Sequence, residues 1–323
     1  MRAFVTGISG FVGGHLTEHL LASGDQVVGV SASGRFPAEL AHLAGSAQAE
    51  PLDLLAGGAT ALTDLLSRKR PEAIYHLAAQ SNPRASFDDP RGTWALNLGG
   101  TLDLLLAVKA AGLDPKPRIV LVGSGVCYGD PPPECIPVSE SCPLRPNNPY
   151  SASKAAADLL GVQMHLSDGL DVVMARPFNH AGPRQSARYV LATLAEQVAE
   201  VEAGRKQAVE VGNLEVVRDY TDVRDVVRGY RLLAERGRPG EIYNLGTGKG
   251  LKLTDALETF RSLATRPIEV RIDPARVRPI DLPYLVADAS KLRRDVGWEP
   301  SIPIEQTLAD MLADARRRVA ARG

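Results

Sequence analysis

The sequence predicts an α/β fold, a doubly wound parallel sheet followed by a smaller C-terminal α/β unit. Three observations carry that prediction. Short β-branched runs alternate with stretches long enough for crossover helices through about residue 175. A glycine triplet sits where the first run gives way to the first helix. After about residue 176 the texture changes to Arg-rich loops (Arg176, Arg184, Arg188, Arg218, Arg224) with prolines at 177, 183, 279 and 283.

Taken in order, the strand candidates are Ala3 to Thr6, Gln26 to Val30, Ala73 to Leu77, Arg118 to Val122 and Asp171 to Ala175, with a further strand expected before Asp53. The first helix runs through His15 to Leu21. The segment Asn97 to Ala111 is apolar nearly all round, as is the segment after Tyr150, with Ala155 to Ala157, Leu159 and Leu160. Such helices need cover on more than one side. Packing on the sheet supplies one cover; a bundle with the same two helices of a second subunit, giving a homodimer, supplies the other. The expected division is 1–175 for a dinucleotide and 176–323 for a substrate. Leu214 to Val227 and Ile242 to Leu245 are expected to return the segment 214–247 to the first domain. Arg316 to Arg318 suit the solvated end of a last helix.

With 323 residues, 44% of them hydrophobic, the chain can bury a large core without staples, and disorder is excluded. Its 37 Lys and Arg against 38 Asp and Glu leave a formal charge of −1, so no global pull toward nucleic acid exists. Cys127, Cys135 and Cys142 are odd in number and lack a C-x-x-C spacing, which fits a reducing compartment and neither a disulfide framework nor a zinc site. The apolar start is broken by glycines at 7, 10, 13 and 14, and Asp103 and Lys109 interrupt the longest apolar run. The expectation is a cytoplasmic protein with no membrane segment.

Thr6-Gly7-Ile8-Ser9-Gly10-Phe11-Val12-Gly13 follows the first strand and opens the first helix. Gly7 suits a tight turn, Gly10 lets the backbone approach a pyrophosphate and Gly13 permits close helix-to-strand packing, while the helix N-terminus offers free N–H groups. That placement makes the sheet Rossmann-type and the ligand a dinucleotide. An acidic residue normally ends the second strand and accepts from the ribose hydroxyls. Here the chain reads Ser31-Ala32-Ser33-Gly34-Arg35, whose hydroxyls and guanidinium suit a 2′-phosphate. NADP(H) is therefore favoured, with NAD(H) possible; the alternative is an exposed loop arginine. Asp53 is a candidate for the adenine or, equally, a turn aspartate.

Of the eight tyrosines, Tyr150 alone has a lysine four residues later, Lys154. Asn148 can cap a helix and Pro149 suits its first position, so the pair lies one turn apart on one face. An ammonium about 4 Å from a phenol is worth about 4 kcal/mol at an effective dielectric near 20, enough to lower the phenol by about two to three pH units. The alternative is an ordinary surface pair. Ser124, at the end of the strand Arg118 to Val122, stands where its hydroxyl can reach the same substrate oxygen. His15 and His19 lack both an adjacent Glu and a third ligand, so no metal is expected.

These motifs, with His76-Leu77-Ala78-Ala79, Asn97 and Arg176-Pro177-Phe178-Asn179, together resemble the extended short-chain dehydrogenase/reductase superfamily, in its nucleotide-sugar epimerase and dehydratase branch. The resemblance implies catalysis by Ser124, Tyr150 and Lys154. It implies cofactor contacts from Phe11, Val12, Leu54, Leu77, Ala78, Ala79, Asn97 and Pro177, and substrate contacts from Ser124, Asn179, Arg184, Arg218 and Arg278. Dehydratases of the branch place Thr at the Ser124 position and an acid one or two residues later; here those positions hold Gly125 and Val126. Reductive epimerases place Cys two residues after the serine, whereas Cys127 is three after it and reads as a packed thiol. Gly212 to Glu215, Arg218 to Asp225, Arg278 to Asp281 and Phe178 to Pro183 resemble members acting on GDP-hexoses. Guanidiniums there would grip a diphosphate bidentately, or else form structural ion pairs. The implied reaction is NADPH-dependent reduction of the C4 ketone of a GDP-4-keto-6-deoxyhexose to GDP-D-rhamnose. The alternatives are a nucleotide-sugar 4-epimerase and a non-catalytic nucleotide-sensing module.

Overall fold

The computed structural model describes residues 1–56, 58–276 and 282–322. Strands β1 (Arg2–Thr6), β2 (Gln26–Ser31), β3 (Ala47–Pro51), β4 (Ala73–His76), β5 (Arg118–Val122) and β6 (Val172–Pro177) come first; β3 precedes Asp53 as expected, and each of the others lies within two residues of its expected bounds. They are followed by β7 (Asn179–Ala181), β8 (Ala208–Val211), β9 (Val217–Asp222), β10 (Ile242–Leu245), β11 (Gly250–Lys252), β12 (Glu269–Ile272) and β13 (Tyr284–Leu285). Seven of these form one parallel sheet in the order β10-β6-β5-β4-β1-β2-β3. The order reverses between β1 and β4, where Thr6 pairs with His76, which is the switch point at whose carboxyl ends open α/β sheets bind their ligands. The doubly wound prediction holds.

Alternate residues of each strand feed opposite faces of this sheet, which is why the strands read as unbroken apolar runs. Val5, Tyr75, Val120 and Val173 pack on one side with α1 (Phe11–Ala22), which contributes Leu16 and Leu20. Phe4, Ile74, Ile119 and Met174 pack on the other with α2 (Gly58–Lys69) through Leu62 and Leu66. At roughly 1.5–3 kcal/mol for each large side chain buried, the two layers dominate the stability of this half. Short helices α3 (Ala85–Asp88) and α4 (Pro90–Trp94) lead through a π-turn at Ala95–Gly99 into α5 (Gly100–Ala111). The single helix expected over 97–111 is thus the end of a longer helical path with a π-bulge around Asn97.

Helix α6 (Pro149–Asp168) is set by its caps. The Asn148 carboxamide accepts from the Ser151 amide at 2.9 Å, Pro149 takes the first helical position, and Gly169 closes the end at φ +62°. Both α5 and α6 lie on the α2 face and leave Leu102, Leu106, Leu159 and Leu166 exposed on their outer side.

Beyond β6, helices α7 (Val190–Glu202), α8 (Val223–Arg236), α9 (Leu253–Leu263), α10 (Ser290–Val296) and α11 (Ile304–Ala320) divide between two cores. Leu194, Val198, Leu257, Phe260, Leu308 and Leu312 form a second core over the parallel pair β8–β12. Val227, Tyr230 and Leu233 of α8 join the α1 face of the large sheet, and β10 extends that sheet beside β6. Within 214–247, residues 217–222 instead form β9, the centre of a four-stranded sheet with β7, β11 and β13. Among the described residues no helix is long and apolar enough to cross a membrane.

Candidate active site

The glycine turn is shaped by missing side chains. Gly7 takes φ +74°, and a Cβ there would lie 3.0 Å from the Ala78 nitrogen, in the chain leaving β4. A Cβ on Gly10 would lie 3.2 Å from the Gly7 carbonyl oxygen, and one on Gly13 would overlap that same oxygen. The Gly7 amide donates to the Val30 carbonyl at 2.8 Å, locking the turn to β2. Gly10 caps α1 without a side chain, and no acid stands in the first turn, so amides around Phe11 and Val12 face the crevice mouth unopposed. This cradle fits a dinucleotide pyrophosphate.

At the end of β2 the serines shape the loop. Ser31 Oγ accepts from the Gly34 amide at 3.2 Å, and Ser33 Oγ bonds the Arg35 main chain at 3.3 Å. Gly34, at φ +62°, tucks against Pro51. Arg35 is exposed, and its guanidinium has no partner among the described residues. Asp53 closes its own turn by accepting from the Leu55 amide at 2.9 Å, while Leu54 is buried against Gly100.

A hydrogen-bond relay ties the turn to Asn97. The Ala78 amide donates to Thr6 Oγ1, Thr6 bonds His76 Nδ1 at 2.8 Å, and His76 Nε2 bonds Thr101 Oγ1 at 3.0 Å. Since Thr101 donates its own proton to the Asn97 carbonyl, His76 carries its proton on Nε2. Burial depresses His76 to about 3, so the ring stays neutral. The Asn97 carboxamide holds both Gln80 backbone groups and donates to Ser153 Oγ at 2.9 Å; Ser153 donates to the Tyr150 carbonyl. Leu77, Ala78 and Ala79 form the segment this relay fixes, and Pro177 ends β6 opposite Leu245.

Ser124, Tyr150 and Lys154 come together beside β5, each less than a tenth exposed. The Ser124 hydroxyl neighbours the Tyr150 phenol, and Ser124 Oγ accepts weakly from the Val126 amide at 3.4 Å. Lys154 Nζ donates to the Val122 carbonyl at 2.7 Å. The expected lowering of the phenol by the ammonium is corrected here: burial raises Tyr150 above its ordinary value, and the Ser124 hydroxyl opposes this only in part. Desolvation is the largest influence on the phenol, and the ammonium donates to a backbone carbonyl. Lys154 itself is pulled down to about 8, first by burial, with Asp158 opposing. Cys127 is packed, as expected: its thiol donates to the Ser151 carbonyl at 3.3 Å, and burial pushes it up to about 12.

Asn179 opens β7, paired with Tyr220, and Arg218 lies in β9 with Nη1 donating to the Val217 carbonyl. Arg278 lies outside the described residues. Arg184 departs from expectation. Its guanidinium grips both Glu18 oxygens at 2.6 and 2.7 Å and contacts His15, and its amide donates to Asp314. It lines a cleft of about 700 Å³ behind α1, with Arg224 and Arg317. The carboxylate of Glu18 has taken the place assigned to a substrate phosphate. The acids of the Arg218 to Asp225 segment are likewise structural. Asp219 accepts from Thr247, Gly248 and Ala287, Asp222 from Arg224 and Thr307, and Asp225 from Ser301 and Ile302.

A family model described as GDP-mannose 4,6 dehydratase matches residues 4–311. The chain belongs to this family. Within it, the chain is 35% identical over 319 residues to a GDP-6-deoxy-D-mannose reductase of Pseudomonas aeruginosa, covering 98% of each chain. It is also 34% identical over 318 residues to a UDP-glucose 4-epimerase of Streptomyces lividans, covering 93% of this chain and 92% of that one. The solved structure of RMD from Pseudomonas aeruginosa complexed with NADPH superposes with a TM-score of 0.84 at 34% identity, over 98% of this chain and 99% of that one. The extended short-chain dehydrogenase/reductase resemblance is borne out.

The motif reading of this family member missed three groups. Asp158 is fully buried on the face of α6 that carries Tyr150 and Lys154, and its i, i+4, i+8 spacing was available as a signal. Gln80 and Ser153 hold Asn97 and Tyr150, and only the π-bulge, which has no sequence signature here, brings them together.

Proposed function

We propose that the enzyme reduces the C4 ketone of a GDP-linked 4-keto-6-deoxyhexose with NADPH, yielding the GDP-6-deoxyhexose GDP-D-rhamnose. One observation carries the reading. The buried Tyr150 keeps its proton beside the Ser124 hydroxyl, while Gly125 and Val126 stand where elimination would need a carboxylate. The similarity to a GDP-6-deoxy-D-mannose reductase supports the substrate class.

The first unit, 1–175 with α8 and β10, holds the dinucleotide: the glycine turn takes its pyrophosphate, and Ser31, Ser33 and Arg35 take its 2′-phosphate. NADPH supplies a hydride when bound. The Ser124 and Tyr150 hydroxyls grip the ketone oxygen, and as charge develops there Tyr150 delivers its proton. A phenol whose proton burial retains is suited to this direction of transfer. The charged Lys154 then stabilises the phenolate until it is reprotonated. Asn179 orients the sugar, and Arg218, with Arg278 as the expected second cation, binds the diphosphate. Arg184 is not part of this set.

A panel of GDP-, UDP- and dTDP-4-keto-6-deoxy sugars with NADPH tests the reading, followed by identification of the product epimer. The expected result is stoichiometric NADPH consumption with the GDP sugar. The similarity to a UDP-glucose 4-epimerase favours a second reading, in which sugars interconvert with no net consumption of added cofactor. We also infer a homodimer in which the exposed Leu102, Leu106, Leu159 and Leu166 of α5 and α6 meet the same face of a second copy; light scattering reads the mass. The three free thiols support a cytoplasmic setting.

A further inference from the structure

Lys154 is a buried ammonium whose hydrogen-bond acceptor is the neutral Val122 carbonyl. An unpaired buried cation sheds its proton unless an anion stands near. The charged or titratable groups facing it are Asp158 on α6, Cys127 beside Ser124, His76 on β4, Tyr150, and Arg176 on β6 behind Asp158. His76 is neutral and the Cys127 thiol keeps its proton, so Asp158 is the only one of these groups that carries negative charge.

Asp158 is itself held in place by charge. Its Oδ2 accepts from Arg176 Nε at 2.7 Å, and both side chains are 3% exposed or less. Burial pushes the Asp158 carboxyl up, and Arg176 opposes that rise; a guanidinium does not deprotonate in a protein, so the 2.7 Å contact favours the carboxylate. Arg176 is fixed in turn: Nη1 donates to Tyr128 Oη at 2.9 Å, its guanidinium carbon lies 5.1 Å from the Tyr128 ring centre, and Tyr128 donates to Asn244 at 2.7 Å. A Cβ on Gly123 would lie 2.5 Å from Asp158 Oδ1, so the carboxylate packs directly against the chain entering Ser124. Charges thus alternate from Arg176 through Asp158 to Lys154, and end at the phenol.

We propose that the buried Asp158–Arg176 pair is a positioning element of the reaction: it keeps Lys154 charged and seats the Gly123–Ser124 segment against Tyr150. The kinetic half of this inference rests on the proposed reductase chemistry; the charge half does not.

The test uses the full-length protein carrying 13C at the lysine ε carbons, of which there are eight, with Lys154 assigned by the signal lost in Lys154→Met. In the wild type that signal is expected to titrate near 8. In Asp158→Asn the midpoint falls by about one pH unit or more, whereas Asp158→Glu restores it to within about 0.3 units. Because Asp158→Asn leaves the buried Arg176 guanidinium without its anion, the double variant Asp158→Asn/Arg176→Gln, which leaves neither charge, is measured beside it and carries the same expectation. In the reduction assay, the alkaline limb of kcat moves to lower pH in step with Lys154, and the KM for NADPH stays within about twofold. A folded variant with no carboxylate at position 158 whose lysine titrates at the wild-type midpoint overturns the proposal, as does an unmoved alkaline limb in that variant. A wild type that reduces no keto sugar overturns the proposed function instead, and the lysine titration still decides the role of the pair.

Discussion

Two regions at the carboxyl edge of the large sheet are built in opposite ways. The glycine turn is made by leaving atoms out: Gly7, Gly10 and Gly13 clear space that a single methyl would fill, and the turn binds through backbone amides. The Tyr150 region is made by putting charges in: Lys154, Asp158 and Arg176 are buried within two turns of helix and one strand. Errors in the first are therefore steric and register as binding. Errors in the second are electrostatic and register as rate and pH dependence.

Tyr150→Phe tests the electrostatic side hardest. The ring keeps its packing and only the proton donor is lost, so kcat falls by about 10³-fold while NADPH affinity, read by fluorescence titration, stays within about twofold. Loss of NADPH binding would move Tyr150 from chemistry to scaffold. Gly13→Ala is its steric counterpart. The new methyl overlaps the Gly7 carbonyl oxygen and forces α1 away from the turn, an overpacking cost of about 1–3 kcal/mol. NADPH affinity is expected to fall about tenfold or more, with kcat at saturating cofactor within about threefold. Unequal partition of these two variants between kcat and cofactor affinity is what the comparison requires.

The same contrast explains what the sequence disclosed. Steric devices are local, so the glycine turn, the Asn148-Pro149 start of α6 and the strands up to β6 were legible from spacing alone. The Tyr150–Lys154 face was legible too, but the sign of its electrostatics was not: the shift of a phenol depends on how much water burial removes and on where Nζ points. The partner of Arg184 was hidden for a related reason. Nothing in its neighbourhood in the chain announces Glu18, 166 residues away, as the partner that occupies it. The π-bulge at Asn97 and the return of β9 to a second sheet depend on tertiary packing, which periodicity does not encode.

Arg35→Ala sharpens the comparison on the side of the turn, where a charge has been added to a steric site. Its guanidinium is exposed and has no partner in the described protein, so its removal costs little stability. The ratio of NADPH to NADH affinity is expected to fall about tenfold, the value of one charge-assisted hydrogen bond. An unchanged ratio would make Arg35 an ordinary loop residue and leave the 2′-phosphate without a reader.

Arg184→Ala has the smallest expected effect on activity. The side chain and its partner Glu18 are 17% and 32% exposed, so the ion pair contributes no more than about 1 kcal/mol. That corresponds to a drop in Tm of a few degrees. The deficit depends on pH with a definite sign. Burial, then Arg184, holds His15 below its ordinary value, and Arg184 helps hold Glu18 below its own. In the wild type, protonating either group in acid therefore costs stability that the variant no longer stands to lose, so the gap between the two proteins narrows as pH falls through the histidine and then the carboxylate range. KM for the sugar nucleotide should remain within about twofold, because the guanidinium faces α1 and not Tyr150. A tenfold rise in KM with unchanged Tm would instead return Arg184 to the substrate and show that Glu18 releases it on binding.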